Sequence, residues 1–221
     1  MHSSSSTSRP TAETIERSVG ADEIGAKLTS WLTRFADRLE VRYRIDNLGS
    51  DVLYVMNQIP SRAVDDAVEY RVDDVYVDLA GDTLELTKGA LLVRHTFPAV
   101  YQYPDARVVA AGESLTETLV LSLPVKVRIP YRRKSGRGEV RASRKAVARR
   151  IALSIGVVPA DSGCTFSRDR PAHPDVVTVR GESFEPGGGL LLIGQTMLST
   201  RFPLSEDLPV LDYESIPWDS H

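Results

Sequence analysis

Residues 39–57 read LEVRYRIDNLGSDVLYVMN, and this stretch decides the fold class. Leu39, Val41, Tyr43 and Ile45 alternate with Glu40, Arg42 and Arg44. A period of two places the apolar set on one side of a half-buried strand. Asp46, Asn47, Gly49 and Ser50 then cluster; Asn and Asp tolerate left-handed backbone and Gly adopts it without steric cost, so the chain turns here. Residues 52–56 resume as a second strand rich in β-branched and aromatic side chains. The local reading is a β-hairpin with a linker longer than two residues, which excludes a tight primed turn.

Working outward, residues 24–35 support two readings. Ile24, Leu28, Trp31, Leu32 and Phe35 match a helical stripe. Residues 28–35 (LTSWLTRF) are also rich in Thr and aromatics, and Ala36, Asp37 and Arg38 would turn them directly into the strand at Leu39. The strand is favoured, because a short isolated helix is unstable and strand pairing would supply the missing contacts. Downstream, residues 69–72, 75–79, 83–87, 107–110, 115–123, 125–129, 151–158, 176–179, 190–193 and 196–198 read as strands, with turn residues between most of them. Pro124 ends a strand or marks an edge. Short strands at this spacing predict an all-β sandwich or barrel.

The order of alternating strand, Asp-Asn-rich turn, strand, several short strands, Ala111-Gly112-Glu113-Ser114 and a long strand resembles immunoglobulin-like β-sandwich domains, many of which place a Gly-Glu-Ser turn before a late strand. The resemblance spans roughly residues 28–131 and is architectural. It implies a sandwich and no particular activity. The strands after residue 150 are read as additional C-terminal strands that extend it beyond a basic connecting segment, with a small separate unit as the alternative. The Cys-Trp-Cys core of antibody domains is absent, because Cys164 is the only cysteine.

The expected organisation is a disordered Ser/Thr-rich segment over residues 1–23, followed by one β-sandwich domain over residues 24–221. Residues 126–150 form a basic loop or a short helix in this reading, with residues 141–150 as the helical candidate. The start of the chain reads either as native or as an appended leader. It shows no basic-then-apolar leader pattern, no long apolar run occurs anywhere, and a lone cysteine suits a reducing compartment. A cytoplasmic protein is the expectation, and the Ala/Arg/Val-rich composition suggests a bacterial source.

Charge is segregated along the 221 residues although the net charge is only −3. Residues 126–150 hold eleven Lys/Arg against Glu139, whereas residues 46–85 hold ten acids against Arg62 and Arg71. The basic block, with Arg132, Arg133, Lys134, Arg137, Arg141, Arg144 and Lys145, is the candidate contact for a polyanion or an acidic partner, with Tyr131 available for base stacking. The competing reading is a solvated loop attracted to the chain's own acidic regions. A pI near 5.8 speaks against a dedicated nucleic-acid binder. The tail from Phe202 holds five acids, no Lys or Arg, and enough large apolar residues to dock on the body.

Catalytic motifs are not evident. The histidines, His2, His95, His173 and His221, form no close pair. Cys164 and His173 share a loop, flanked by Arg168 and Arg170, but without a motif that would activate a thiolate. Asp73, Asp74, Asp78 and Asp82 supply calcium-type oxygens without EF-hand spacing. Gly187-Gly188-Gly189 lacks the lysine of a phosphate loop, and no nucleophile elbow or dinucleotide fingerprint occurs. Phe97, Tyr101 and Tyr103 form either an exposed aromatic patch or ordinary packing. The function expected is therefore non-catalytic, cofactor-free and metal-free: a protein-interaction module whose partner is another protein or a second copy. The alternative is an accessory nucleic-acid-binding protein, and the third class is an enzyme whose site is assembled from scattered residues.

Overall fold

The computed structural model describes residues 14–64, 67–91, 104–128, 144–169, 172–184, 190–192 and 194–212. Its strands are β1 (Thr14–Ala21), β2 (Ala26–Arg34), β3 (Arg38–Asn47), β4 (Leu53–Gln58), β5 (Pro60–Val64), β6 (Ala67–Tyr70), β7 (Tyr76–Ala80), β8 (Thr83–Lys88) and β9 (Asp105–Val109). They continue as β10 (Ser114–Ser122), β11 (Val125–Lys126), β12 (Arg144–Pro159), β13 (Thr165–Ser167), β14 (Val176–Arg180), β15 (Glu182–Phe184), β16 (Leu190–Leu192) and β17 (Thr196–Asp212). A single 3-10 turn, Asp22–Ile24, is the one helical element among the described residues. The chain is all-β.

A four-stranded antiparallel sheet has the order β1-β2-β3-β10, and a larger mixed sheet has the order β11-β17-β12-β4-β9-β14-β13. The β7-β8 pair joins the larger sheet through parallel pairing of β8 with β12. β15-β16 and β5-β6 form two-stranded ribbons. Alternating residues of both large sheets meet in one buried cluster. The smaller sheet contributes Leu28, Leu39, Val41, Ile45 and Leu119; the larger contributes Val55, Leu84, Leu86, Ile151, Leu153, Ile155 and Phe202. Burying each such side chain is worth about 1.5–3 kcal/mol. A second cluster, Met56, Ala90, Ala106, Val158, Val179 and Leu192, lies against Tyr54 and Phe166, whose rings stack at 3.8 Å.

β3 and β4 do not form the expected hairpin. β3 pairs with β2 and β10, whereas β4 pairs with β9 and β12 in the other sheet. Period-two patterning identifies the buried face of a strand and leaves its neighbour undetermined. The turn residues between the two strands carry the chain from one sheet to the other. Asn47 Nδ2 donates to the carbonyls of Asp51 (2.8 Å) and Val109 (2.9 Å), and Asn47 Oδ1 accepts from Gly49 N–H (3.1 Å). Leu48 N–H donates to Gly25 O at 2.6 Å, fastening the crossover to the β1-β2 connection.

The expected disorder over residues 1–23 is also corrected. Residues 1–13 lie outside the described residues, but β1 pairs with β2 along its whole length. Its composition looks disordered because one face is wet, while Ile15 and Val19 pack against the core and Trp31 Nε1 donates to Glu16 Oε2 at 2.8 Å. The favoured strand over residues 28–35 is present as β2. The helical alternative over residues 141–150 fails from Arg144 onward, where β12 runs unbroken in direction into the apolar residues 151–158. β17 offers a partner along nearly this whole length, and Ala146 and Ala148 turn inward between exposed Lys145, Val147 and Arg149. The described part of the acidic tail, residues 202–212, docks as part of β17, which lies between β12 and β11, and residues 213–221 lie outside the described residues.

Candidate functional site

The densest polar constellation lies between the sheets. β4 borders β12 at Val157, and β8 borders it at Ile155. At that exchange of neighbours β4 leaves the edge, its register with β9 shifting between Val55 and Gln58. Asn57, which follows Val55 by two, is thereby brought beside Lys88, the last residue of β8. Glu117 enters from β10 of the facing sheet, directly opposite Tyr43 on β3.

All four side chains are buried: Lys88, Tyr43 and Asn57 at 0% exposure and Glu117 at 6%. Lys88 Nζ donates to Glu117 Oε2 at 3.2 Å, to the Asn57 carbonyl at 3.2 Å and to the Val72 carbonyl at 2.7 Å. Asn57 Nδ2 donates to Glu117 Oε1 at 2.7 Å, and Tyr43 O–H donates to Glu117 Oε2. Arg107 approaches Glu117 Oε1 at 3.8 Å from the solvent side and pairs outward with Asp175 at 3.0 Å. Asn57 Oδ1 has no hydrogen-bond partner.

Burial dominates the electrostatics. It pushes the Tyr43 phenol well above its ordinary value, reinforced by the charge of Glu117. It also pushes Lys88 down, opposed by Glu117 and then by Asp74 and Asp73. Removing one member of such a buried pair leaves an uncompensated charge, which costs about 3–5 kcal/mol. The cluster is closed to any substrate of appreciable size, and its chemistry is confined to the groups that compose it.

From the sequence Tyr43 reads only as an inward apolar position, and Lys88, Asn57 and Glu117 are not singled out, although a signal exists. Leu84, Leu86 and Lys88 share one face of β8, and Leu115, Glu117, Leu119 and Leu121 share one face of β10. A lysine and a glutamate in inward register on separate strands point to a buried pair.

Of the basic candidates, Arg132, Arg133, Lys134, Arg137 and Arg141 lie outside the described residues. Arg144 opens β12 and Lys145 is exposed beside it. Three described arginines at the ends of the block meet acids of the same chain: Arg128 with Asp74 at 2.5 Å, Arg149 with Asp207 at 3.2 Å and Arg150 with Asp82 at 2.5 Å. The acidic residues considered for calcium are dispersed, since Asp73 Oδ1 accepts from Val120 N–H at 2.7 Å while Asp74 and Asp82 serve those arginines. Among the described residues, no group of three or more His, Cys, Asp or Glu is placed to hold a metal ion. Cys164 packs at the second core cluster, whereas His173 meets the Tyr70 ring at 5.0 Å. Phe97, Tyr101, Tyr103 and Gly187-Gly188-Gly189 lie outside the described residues. No described helix is long and apolar enough to cross a membrane.

Comparison of the chain with protein-family models, with curated proteins and with solved structures found no match in any of the three.

Proposed function

We propose that the chain is a non-catalytic protein-interaction module of immunoglobulin-like type, and that its working surface is the β10 edge of the smaller sheet. The strand order supports the architectural part. Immunoglobulin-like sandwiches place strands A, B and E in one sheet and C, F and G in the other. Here β2, β3 and β10 share one sheet and β4, β12 and β17 the other, with the chain changing sheets between β3 and β4 as it does between B and C.

The observation that carries the interaction reading is that, among the described residues, β10 pairs on one side only, with β3. Val120 N–H points away from β3 and donates to Asp73. Antiparallel pairs alternate between hydrogen-bonded and non-hydrogen-bonded, so Thr116 and Thr118, at the same parity, also direct their backbone groups off the sheet. Both are exposed. An unpaired edge of this kind accepts an extended segment of another chain as an additional strand.

The test is affinity capture with the full-length chain beside Thr118→Pro, which removes one outward N–H and leaves the β3 ladder intact. A protein partner or second copy held by the wild type and lost by the folded variant supports the reading. Equal retention by both contradicts it.

A further inference from the structure

The Lys88–Glu117–Asn57 arrangement gathers an amine, a carboxylate and a carboxamide in the buried interior. We propose that Lys88 and Asn57 condense to an intramolecular amide bond, with Glu117 as the proton carrier. The inference is independent of the edge-binding reading, since it concerns groups that no partner reaches.

Three features point to this reaction. One carboxylate spans the two reactants, receiving Lys88 Nζ–H at Oε2 (3.2 Å) and Asn57 Nδ2–H at Oε1 (2.7 Å). Lys88 Nζ is simultaneously 3.2 Å from the Asn57 backbone carbonyl, so the amine is held against the residue it would attack. Finally, Asn57 Oδ1 is buried without a donor, an unusual state for an amide oxygen and one that a protonated Glu117 would relieve.

The chemistry balances without an added reactant. Lys88, as ammonium, gives one proton to Glu117 along the hydrogen bond it already donates to Oε2, leaving a neutral amine and a neutral acid. The amine lone pair forms the Nζ–Cγ bond at Asn57, while Glu117 O–H supports the developing charge on Oδ1. A second proton leaves Nζ through Glu117 to Nδ2, the Cγ–Nδ2 bond breaks, and the nitrogen departs as ammonia, taking up the remaining proton as ammonium. Glu117 is regenerated as a carboxylate. Fixed proximity replaces the entropic cost of a bimolecular encounter, and burial shields the product from solvent. Tyr43, donating to Glu117 Oε2, and Arg107, covering Oε1 from solvent, act as positioning residues. The product ties β4 to β8 where both border β12.

Mass spectrometry of the purified full-length protein decides the matter. The intact mass is expected one ammonia below that of the sequence. A protease digest should yield a branched peptide joining the segments that carry Asn57 and Lys88. Lys88→Ala and Glu117→Gln should each give linear peptides at full mass, with circular dichroism reporting whether each variant folds. Recovery of Asn57 and Lys88 from the wild type in separate, unmodified linear peptides overturns the proposal, whatever the variants do. A branched peptide short by one water and mapped to Glu117 overturns the assignment to Asn57. Persistence of the branch in Glu117→Gln overturns the role given to Glu117.

Discussion

Asn47 is buried at 1% exposure and satisfies three backbone groups of the segment that changes sheets. An unsatisfied buried polar group costs about 1–3 kcal/mol. Asn47→Ala should therefore lower unfolding free energy by about that amount in a urea titration, and no effect would mean that the crossover is held by other contacts. The sequence marked this residue as a turn former, correctly, because its side-chain chemistry is local. That its amide reaches Val109 was not legible, since residue 109 is distant in the chain and no local rule pairs them.

Tyr43 gives a pH prediction. Its folded value is raised, so below the unfolded value of 10.0 its contribution is fully present. As pH rises from there toward the folded value, unfolded chains lose the proton that the native state keeps, and stability falls. Tyr43→Phe removes this component. Above pH 10.0 the wild type should lose thermal stability more steeply than the variant, and equal slopes would show that Tyr43 is not held protonated. Tyr43 was read from the sequence as an inward apolar position. Its hydroxyl partner, Glu117, escaped notice because a glutamate between leucines reads as part of a wet face until the phase of the alternation is followed.

At the scale of elements, many of the strands were legible and their partners were not. β8 and β10 follow from alternation and from flanking turn residues, and β2 from its Thr and aromatic content against a competing helical stripe, whereas pairing β3 with β10 joins residues whose numbers differ by up to 84 in register (Arg38 with Ser122). β1 shows the opposite failure: it was hidden because three polar residues in succession, Glu16, Arg17 and Ser18, face solvent while only Ile15 and Val19 contribute apolar anchors. Gly25 sits where these elements meet, at φ 59°, and a Cβ there would stand 2.6 Å from Gly49 backbone atoms. Overpacking typically costs about 1–3 kcal/mol, and left-handed strain adds to it. Gly25→Ala should be destabilising on chemical denaturation, with Gly49→Ala, which meets no backbone closer than 3.6 Å, as the milder control. The β10 edge carries its own prediction. Asp73 caps Val120 N–H, so Asp73→Ala should lengthen the open edge and raise partner retention or self-association on sizing chromatography. Unchanged behaviour would argue that Asp73 does not guard the edge.

At the scale of the whole molecule, charge segregation in the sequence becomes partial neutralisation in space. Arg150 holds the Asp82 carboxyl below its ordinary range through a hydrogen bond, and Arg149 and Arg128 meet Asp207 and Asp74. These contacts involve exposed arginines that salt screens, so they orient the sheets' margins more than they stabilise them. The interaction reading predicts that replacing Arg132, Arg133, Lys134 and Arg137 together by alanine leaves β10-dependent partner capture unchanged. Loss of capture in that variant would shift the working surface to the basic block.

The measurement that tests the edge-binding account most directly is residue-resolved amide hydrogen exchange along β10, with and without the bound partner. In the free protein, Glu117, Leu119 and Leu121, bonded to β3, should exchange slowly, whereas Thr116 and Thr118 should exchange fast. Binding should slow Thr116 and Thr118 selectively. Protection of both threonines in the free protein, or no change when the partner binds, would contradict the account.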